Sequence, residues 1–313
     1  MVKKIIFMGT PDFAVESLKE ILDHNIEVAA VVTAPDRPSG RGQKMNTSAV
    51  KKFAEAQNLK ILQPEKLKDS NFISELEHLN ADLFVVVAFR MLPEIVWQMP
   101  SLGTINLHGS LLPKYRGAAP INWAVINGEM ETGVTTFFIE KEIDTGKIID
   151  FAKIKIECSD TAGSVHDKLM LLGAELLVNT INQIFNGNVK PIQQPETNII
   201  HAPKIFKPDC KIDWSDNTIN IFNKIRGLSP YPTAFTNLHQ NTQSKSLKIF
   251  NVDMVETGEN HSSQINVEGH ILRFGTNNGW IIIKELQLEG KKRMETKVFL
   301  SGFNIIEWHL DKQ

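Results

Sequence analysis

Several features that mark specialised classes of protein are scarce in this sequence. Only two cysteines, Cys158 and Cys210, occur in 313 residues, too few for a disulfide framework or a cysteine-based metal cluster. No apolar run approaches the length of a membrane span, and the run that ends at Met8 is shorter than the core of a signal peptide. We therefore expect a cytoplasmic protein with reduced thiols and no membrane association.

Other signals of function are also missing. The formal net charge is −2, so any binding of nucleic acid would have to use local basic patches. The nine histidines are scattered without the spacing of metal ligands, and we expect no metal site. The first glycine-containing turn is not Gly-x-Gly-x-x-Gly, which gives a dinucleotide site little support.

The first half of the chain alternates strand and helix patterns. An apolar run over 5–8 is followed by a Gly-Thr-Pro turn, a stretch with helical spacing and a β-branched run over 28–32. The continuous apolar run over 83–88 is typical of a central parallel strand that is covered on both faces. This pattern predicts an α/β fold with a doubly wound, mostly parallel sheet.

The pattern changes in the last third. Prolines and little periodicity characterise 188–207, which we interpret as a linker. Beyond it, several short alternating runs are separated by turn signals and predict a small, OB-like β-barrel. The sequence thus predicts a catalytic domain over 1–187 and a smaller carboxyl-terminal domain over 208–313.

The most informative stretch runs from Thr104 to Tyr115. It begins as a short apolar strand in which Asn106 and His108 are two residues apart and so point to the same face. At the carboxyl end of a parallel strand, a carboxamide and an imidazole would share one rim of a ligand crevice. A carboxamide can hold a carbonyl oxygen and an imidazole can move a proton, which suits attack of an amine on an acyl carbon. The alternatives are a structural histidine and a turn-forming asparagine.

A second unusual segment lies over 34–47, where Pro, Gly and basic residues replace apolar periodicity. Residues 36–60 carry six Lys or Arg against two acidic residues. A loop of this length inside a compact domain is commonly functional or disordered, and composition alone leaves a solvated loop equally open. A further basic group, Lys291, Lys292 and Arg293, lies near the carboxyl terminus.

These motifs carry a resemblance. The segment from Asn106 to Pro120, the Asp-Thr-Gly turn that begins at Asp144, and the segments 8–14 and 35–42 resemble the folate-dependent formyltransferases, in particular the branch that formylates methionyl-tRNA. The resemblance covers nearly the whole chain, weakly in the last third. It implies a formyltransferase-like variant of the Rossmann fold, 10-formyltetrahydrofolate as co-substrate and methionyl initiator tRNA as partner. We expect a monomer.

The resemblance also implies roles for residues. It brings Asp144 to the imidazole of His108 and makes Asn106, His108 and Asp144 the catalytic residues; the plain alternative for Asp144 is that it closes a turn. It places folate binding at the turn after the 83–88 run and at the turn after His108, for which core packing and a rigid turn are the alternatives. The implied folate-binding residues are Phe89, Arg90, Leu92, Ser110, Leu111, Leu112 and Pro113. The implied tRNA-binding residues are Arg37, Arg41 and Lys44, with Lys291, Lys292 and Arg293 as further candidates.

Two other functions compete with this interpretation. A folate-dependent formyltransferase that acts on an amino-sugar nucleotide would share Asn106, His108 and the Asp144 turn. A nucleotide- or RNA-binding module without catalysis would need none of them. The basic loop and the β-rich carboxyl region favour tRNA as the acceptor.

Overall fold

The computed structural model describes residues 2–39 and 44–311. Backbone proximity divides the chain into two compact units. The first contains the chain up to Pro120, Thr132–Ile154 and His166–Ala202; the second contains Ile121–Glu131, Lys155–Val165 and the chain from Pro203 onward. Because the two units interleave along the sequence, they differ from the predicted contiguous domains, whose boundaries stay a prediction.

The part of the chain that precedes Pro203 contains both helices and strands. The chain forms β1 (Lys4–Gly9), α1 (Asp12–Asp23), β2 (Glu27–Val32), β3 (Arg37–Ser39), β4 (Lys44–Asn46), α2 (Ala49–Ala56), β5 (Ile61–Leu62), α3 (Ser70–Leu79), β6 (Leu83–Val87) and α4 (Glu94–Trp97). It continues with β7 (Thr104–His108), β8 (Arg116–Gly117), α5 (Pro120–Ile126), β9 (Glu131–Phe138), β10 (Ile148–Lys155), α6 (Ala162–Phe185) and β11 (His201–Ala202).

Seven of these strands form the main sheet in the order β10-β9-β7-β6-β1-β2-β5. The pairs β1–β2, β1–β6, β2–β5 and β6–β7 are parallel, and β7–β9 is antiparallel. After β1, the chain first forms β2 and β5 on one side of β1 and then forms β6 on the other side. This reversal creates a topological switch point between β1 and β6, and sheets of this kind bind ligands at such points. The predicted doubly wound, mostly parallel sheet is confirmed.

The central strands have the composition that their burial requires. All five residues of β6 are buried, as are all but the first residue of β1, because helices cover both faces of a parallel sheet. Helix α1 packs Phe13, Leu18 and Ile21 against the sheet at helical spacing. These elements hold the carboxyl ends of β1, β6 and β7 at one edge of the sheet.

The basic segment 34–47 contains more regular structure than predicted. Strands β3 and β4 pair in antiparallel register, with Arg37 opposite Asn46. Behind this hairpin, the Lys51 ammonium contacts the Asp36 carboxylate at 2.5 Å, and the Gln63 amide donates to the Asp36 carboxylate at 3.0 Å. The loop prediction is therefore wrong for the two strands, because backbone pairing does not need the apolar periodicity that the sequence lacks.

The segment predicted as a linker is partly built into the first unit. Strand β11 pairs in parallel with β8, and the Arg116 amide donates to the Ile200 carbonyl at 3.0 Å. Gln194 is buried, with 4% of its surface exposed. Residues 188–202 therefore belong to the first compact unit. Hydrogen bonds, and not a periodic set of apolar side chains, hold this segment, so nothing in the sequence indicated that it is structured.

From Lys207 onward, the second unit contains two 3₁₀ helices, the first over Lys207–Cys210, two α-helices and an antiparallel sheet. Its elements are α7 (Thr218–Leu228), β12 (Ala234–Gln240), β13 (Gln243–Glu256), β14 (Ile265–Glu268), β15 (Ile271–Gly275), β16 (Gly279–Leu288), β17 (Met294–Glu295), α8 (Thr296–Gly302), a second 3₁₀ helix (Ile305–Glu307) and β18 (His309–Leu310). The sheet follows the order β14-β15-β16-β13-β12-β18, and β17 pairs with β16.

The core of this unit forms around Trp214, which is 1% exposed and donates its indole N–H to the Thr236 hydroxyl at 3.0 Å. The long strand β13 has register shifts on both sides of Asn251, and such irregularities bend a strand and let a sheet curl around its core. The predicted small β-rich domain of the barrel type is confirmed as a curled antiparallel sheet.

Candidate active site

Strand β7 carries the predicted catalytic pair to the carboxyl edge of the sheet. It lies between β6, with which it is parallel, and β9, with which it is antiparallel. Asn106 lies opposite Phe137, and His108, the last residue of the strand, lies opposite Thr135. Asn106 is half-buried, and its carboxamide hydrogen-bonds to no side chain or backbone group in the described part of the chain. It is therefore available to a ligand.

The imidazole of His108 has a defined orientation. Its side chain is buried, and Nε2 lies 2.8 Å from the backbone oxygen of Tyr115. A carbonyl oxygen only accepts hydrogen bonds, so Nε2 carries the proton in this contact. Nδ1 faces the Oδ2 atom of Asp144 at 3.8 Å. The ring meets Phe137 edge-on, with ring centroids 6.5 Å apart. Nδ1 is thus the nitrogen that can exchange a proton.

The turn after β7 fixes the carbonyl that orients the imidazole. The Ser110 hydroxyl donates to the Lys114 carbonyl at 2.6 Å, and the Thr135 hydroxyl donates to the Ser110 carbonyl at 2.7 Å. The Leu112 amide donates to the same Thr135 hydroxyl at 3.2 Å. Tyr115 ends the turn with a φ of 61°. These bonds make the turn a rigid support for His108.

Asp144 approaches from the turn between β9 and β10. Its Oδ2 atom accepts a hydrogen bond from the Gly117 amide at 2.9 Å, so the carboxylate faces both a backbone donor and the imidazole. Asp144 has a φ of 56°, in the left-handed region. A side chain at Gly146 would overlap the carbonyl oxygen of Phe138, which explains the glycine in the Asp-Thr-Gly turn. The expected proximity of Asp144 and His108 is thus present.

Most of the expected folate-binding side chains pack internally. Leu92 is buried in a core cluster with Phe89 packed against it, and Leu112 and Pro113 are buried in the turn after β7. Ser110 is buried and committed to Lys114, whereas Leu111 is half-buried. Any folate bound here would therefore meet the backbone of these turns more than their side chains.

Arg90 has a different environment. Its guanidinium donates to the backbone oxygens of Pro64 at 2.8 Å and Glu65 at 3.1 Å, and its buried Nε atom has no partner among the described residues. Burial, and then the positive charge of Arg37, lower the pKa of the Arg90 guanidinium. In this structure Arg90 fixes the 64–65 loop beside the carboxyl end of β6.

The expected tRNA-binding residues have unequal surroundings. Arg37 is exposed on β3; Arg41 lies outside the described residues, and Lys44 is described only as a backbone position of β4. Lys291 and Lys292 are exposed. Arg293 forms an ion pair with Glu285 and lies over the Phe250 ring, 4.2 Å from its centroid, so its charge is partly committed within the chain.

A cavity of about 650 Å³ opens at the carboxyl end of β1, beside the hairpin of β3 and β4. Thr10 and Asp12 line it from the turn into α1, and Asn46, Lys52 and Phe53 line it from β4 and α2. Its walls contain neither Asn106, His108 nor Asp144. Because parallel strands end at one edge of a sheet, the cavity and the β7 site share that edge.

Several groups that shape the site were not indicated by the sequence. Gln194 donates to the backbone oxygens of Asp144 and Gly146, both at 2.8 Å, and Arg116 contacts the Gln194 oxygen. No periodicity or motif marked Gln194, which lies in the segment predicted as a linker. The Tyr115 carbonyl and the Gly117 amide are backbone groups that only folding could place.

Within residues 2–39 and 44–311, no three His, Cys, Asp or Glu side chains are grouped so that they could hold a metal ion. No helix there combines the length and apolar character needed to cross a membrane.

Comparison with known proteins identifies the family. The family model described as formyl transferase matches residues 3–181, and the model of the formyl transferase carboxyl-terminal domain matches residues 204–304. This chain belongs to the formyltransferase family. The resemblance found in the sequence is confirmed.

Similar proteins of known name indicate the branch of the family to which this chain belongs. A methionyl-tRNA formyltransferase from Bacteroides thetaiotaomicron is 48% identical over 309 residues, with 96% of each chain covered. Enzymes of the same name from Flavobacterium johnsoniae and Phocaeicola vulgatus are 50% and 52% identical, with 96% of this chain covered in each comparison. The chain is therefore a formyltransferase of the methionyl-tRNA branch.

Solved structures share the fold at lower identity. The sugar 3N-formyl transferase WlaRD, crystallised with dTDP and 5-N-formyl-THF, has a TM-score of 0.67 at 23% identity, covering 93% of this chain and all of that one. HypX from Aquifex aeolicus, in complex with tetrahydrofolic acid, has a TM-score of 0.65 at 17% identity, covering 96% of this chain and 47% of that one. At these identities the likeness establishes the fold, and the sugar enzymes are distant neighbours.

Proposed function

We propose that this protein transfers the formyl group of 10-formyltetrahydrofolate to the α-amine of methionyl initiator tRNA. The observation that supports the proposal is that Nδ1 of His108 faces the Asp144 carboxylate at the carboxyl end of β7, the strand that also carries Asn106. The relatives named methionyl-tRNA formyltransferase support this acceptor. The product, N-formylmethionyl-tRNA, would serve translation initiation.

Asn106 supplies the electrostatic part of the mechanism. Attack of the amine on the formyl carbon turns the carbonyl oxygen into an oxyanion in a tetrahedral intermediate. A carboxamide N–H that is held on a strand stabilises this growing charge without reorganisation. The Asn106 carboxamide has no competing partner among the described residues, which suits it to this role.

His108 supplies the proton transfer. Its Nε2–H is held by the Tyr115 carbonyl, so Nδ1 is left to exchange a proton with the reacting groups. Asp144 lies 3.8 Å from Nδ1 and compensates the positive charge of the ring when Nδ1 is protonated. The proton lost by the amine thereby reaches the leaving nitrogen of the folate through Nδ1 or through a water held by Asp144. No covalent enzyme intermediate is needed.

We propose that the folate binds beside these residues. The turns after β6 and β7, which contain Phe89, Arg90 and Leu92 and the 110–113 segment, follow neighbouring parallel strands at the same sheet edge. We propose that the pterin ring lies against the backbone of these turns, because most of their side chains are buried.

The basic hairpin would bind the acceptor end of the tRNA. We assign phosphate contacts to Arg37, Arg41 and Lys44, and weaker ones to Lys291, Lys292 and Arg293, whose charges act without sequence specificity. The cavity beside the hairpin has room for a group of nucleotide size. We further propose a cytoplasmic monomer; the free Cys158 and Cys210 suit a reducing compartment.

The decisive experiment is a formyl-transfer assay with 10-formyltetrahydrofolate as donor. Methionyl initiator tRNA and a UDP-amino-sugar are offered in parallel reactions, with uncharged tRNA as the control that lacks the amine. We expect rapid formylation of the methionyl-tRNA alone. Formylation of the sugar alone would contradict the proposal that tRNA is the acceptor and that the hairpin binds it. Transfer to neither acceptor would overturn the proposed function.

A further inference from the structure

The side chain of Gln194 joins three parts of the first unit. Its Nε2 atom donates to the backbone oxygens of Asp144 and Gly146, both at 2.8 Å. Its Oε1 atom accepts from the Arg116 guanidinium, at 3.1 Å from Nε and 2.6 Å from the terminal nitrogen. With 4% of its surface exposed, Gln194 has little access to water that could replace these bonds.

The chemistry of its partners fixes the orientation of this amide. Backbone carbonyls only accept hydrogen bonds, and a guanidinium only donates. A flipped amide would face its oxygen toward two carbonyls and its NH₂ toward a cation, and would lose every bond. Both amide hydrogens and the oxygen are therefore used, and no residue other than glutamine or asparagine offers this set of donors and acceptors.

The contacts act on the turn that carries the Asp144 carboxylate. Asp144 has a φ of 56°, in the left-handed region that non-glycine residues adopt uncommonly, although Asp and Asn tolerate it best. Gln194 binds the carbonyl of Asp144 itself and that of Gly146, on both sides of Thr145. Arg116, which holds the other end of the amide, directly precedes Gly117, whose N–H binds the Asp144 carboxylate. One side chain thus links both backbone segments that position the carboxylate.

We propose that Gln194 is a positioning residue for the formyl-transfer reaction, holding the Asp144 turn so that the carboxylate faces Nδ1 of His108. The proposal rests on the proposed function for its rate measurements. Gln194 itself acts through Asp144, and it needs no contact with either substrate.

The first test compares Gln194→Met, which keeps the side-chain length, with Gln194→Glu, which keeps the acceptor for Arg116 but removes both donors. We expect each variant to lower kcat by about 10–100-fold, the loss that follows when a contact that orients a metal ligand is removed, while KM for both substrates changes by less than about threefold. Gln193→Met, at an exposed neighbouring position, is the matched control and should keep the wild-type kcat. A Gln194→Glu variant with wild-type kcat would overturn the proposal, because the donors would then be dispensable.

The second test is a double-mutant cycle with Asp144→Asn. If Gln194 acts through the Asp144 carboxylate, Gln194→Met should lower kcat by less than about threefold further in the Asp144→Asn background. A general structural role would give the same fold-loss in both backgrounds, and that outcome would contradict the proposal. Thermal unfolding of each variant identifies any that fails to fold; Gln194→Glu, which keeps the acceptor for Arg116 but lacks both donors, then takes the place of Gln194→Met.

A third readout does not depend on activity. The Gly117 amide is protected by its bond to Asp144, so hydrogen exchange at this amide should be faster in Gln194→Met than in Gln193→Met. Unchanged exchange would overturn the positioning role. If the wild-type protein formylated neither acceptor, the proposed function would fail, whereas the exchange measurement would still decide the role of Gln194.

Discussion

The Nδ1 atom of His108 lies 3.8 Å from the Oδ2 atom of Asp144, although His108 ends β7 and Asp144 lies in the turn between β9 and β10. The distance is too long for a direct hydrogen bond, and the two groups form an ion pair only when the imidazole is protonated. The carboxylate is held by the Gly117 amide and the imidazole by the Tyr115 carbonyl. Both of these proposed catalytic groups are thus held by backbone atoms, and we propose that Nδ1 and the Asn106 carboxamide take part in the reaction.

Replacing the charge of Asp144 should slow the chemical step. Asp144→Asn keeps an oxygen that can accept from the Gly117 amide but removes the negative charge beside Nδ1. We expect kcat to fall by about 100-fold or more, with little change in KM for the folate, in single-turnover assays. Glu142→Gln, exposed in the same turn, is the control. An Asp144→Asn variant with the wild-type rate would remove the carboxylate from the mechanism.

Removal of the Asn106 carboxamide should affect the transition state more than binding. We expect Asn106→Ala to lower kcat by about 10²–10³-fold, the usual loss when an oxyanion donor is deleted. Equilibrium binding of the folate should remain close to that of the wild type. Asn179→Ala, at an exposed position of α6, controls for the loss of an amide. Turnover near the wild-type value with intact binding would show that Asn106 is structural.

The glycine of the Asp-Thr-Gly turn should tolerate no side chain. A methyl group at Gly146 would overlap the Phe138 carbonyl oxygen, so Gly146→Ala must displace the turn and with it Asp144. We expect a destabilisation of about 1–3 kcal/mol and a lower kcat, measured by denaturant unfolding and by the transfer assay. Gly302→Ala, where nothing lies within 4 Å of the added methyl, should change neither. Equal behaviour of the two variants would contradict the packing argument.

The basic hairpin should matter for the tRNA more than for the folate. Arg41→Ala is expected to raise the KM for methionyl-tRNA and to reduce the slope of log KM against log salt by about one. The KM for the folate should stay within about twofold. Lys190→Ala, an exposed basic residue elsewhere, is the comparison. Equal increases in both KM values would argue against a contact between the hairpin and the tRNA.

Asp311 should make the second unit sensitive to acid. Burial alone would raise its pKa, but hydrogen bonds from His239, Lys211 and the Asn237 amide together lower the pKa of Asp311 below its ordinary value of 3.8. A depressed pKa in the folded state contributes stability above the unfolded-state pKa, and this contribution is lost as the pH falls through the folded-state pKa.

The corresponding variant is Asp311→Asn. We expect it to lower the unfolding temperature by a few degrees at pH 7, and by progressively less as the pH drops below about 4, because the wild type loses the charged contact there. Asp253→Asn, which removes an exposed carboxylate paired with Lys284, should have a smaller effect at every pH. A pH-independent difference between Asp311→Asn and the wild type would contradict the argument.

Much of the architecture follows from the sequence because its signals are local. Continuous apolar runs of five or six residues, such as β1 and β6, are typical of covered strands, and helical spacing in α1 marks the face that packs on them. The position of Asn106 and His108 at a strand end followed from alternation along that strand. The turn chemistry of Asp144-Thr145-Gly146 was also visible, together with the resemblance that gave it a role.

Other features of the structure could not be predicted from the sequence, because they depend on contacts between residues that are far apart in the chain. The strands β3 and β4 pair through backbone atoms in a segment of turn-forming residues, and 188–202 is held by hydrogen bonds and not by an apolar face. Gln194 is an example. A glutamine at this position carries no local sequence signal, and its role depends on two carbonyls and a guanidinium that the fold brings together.

The sequence by itself therefore determined the family, the sheet and the identity of the three catalytic candidates. Tertiary structure decided which nitrogen of His108 remains free, what holds Asp144 in place, and which of the expected ligand-binding side chains are committed to packing. The physical reason is that strand and helix patterns depend on neighbours in sequence. The orientation of an imidazole or a carboxylate depends on single hydrogen bonds to backbone atoms that only the folded chain brings within reach.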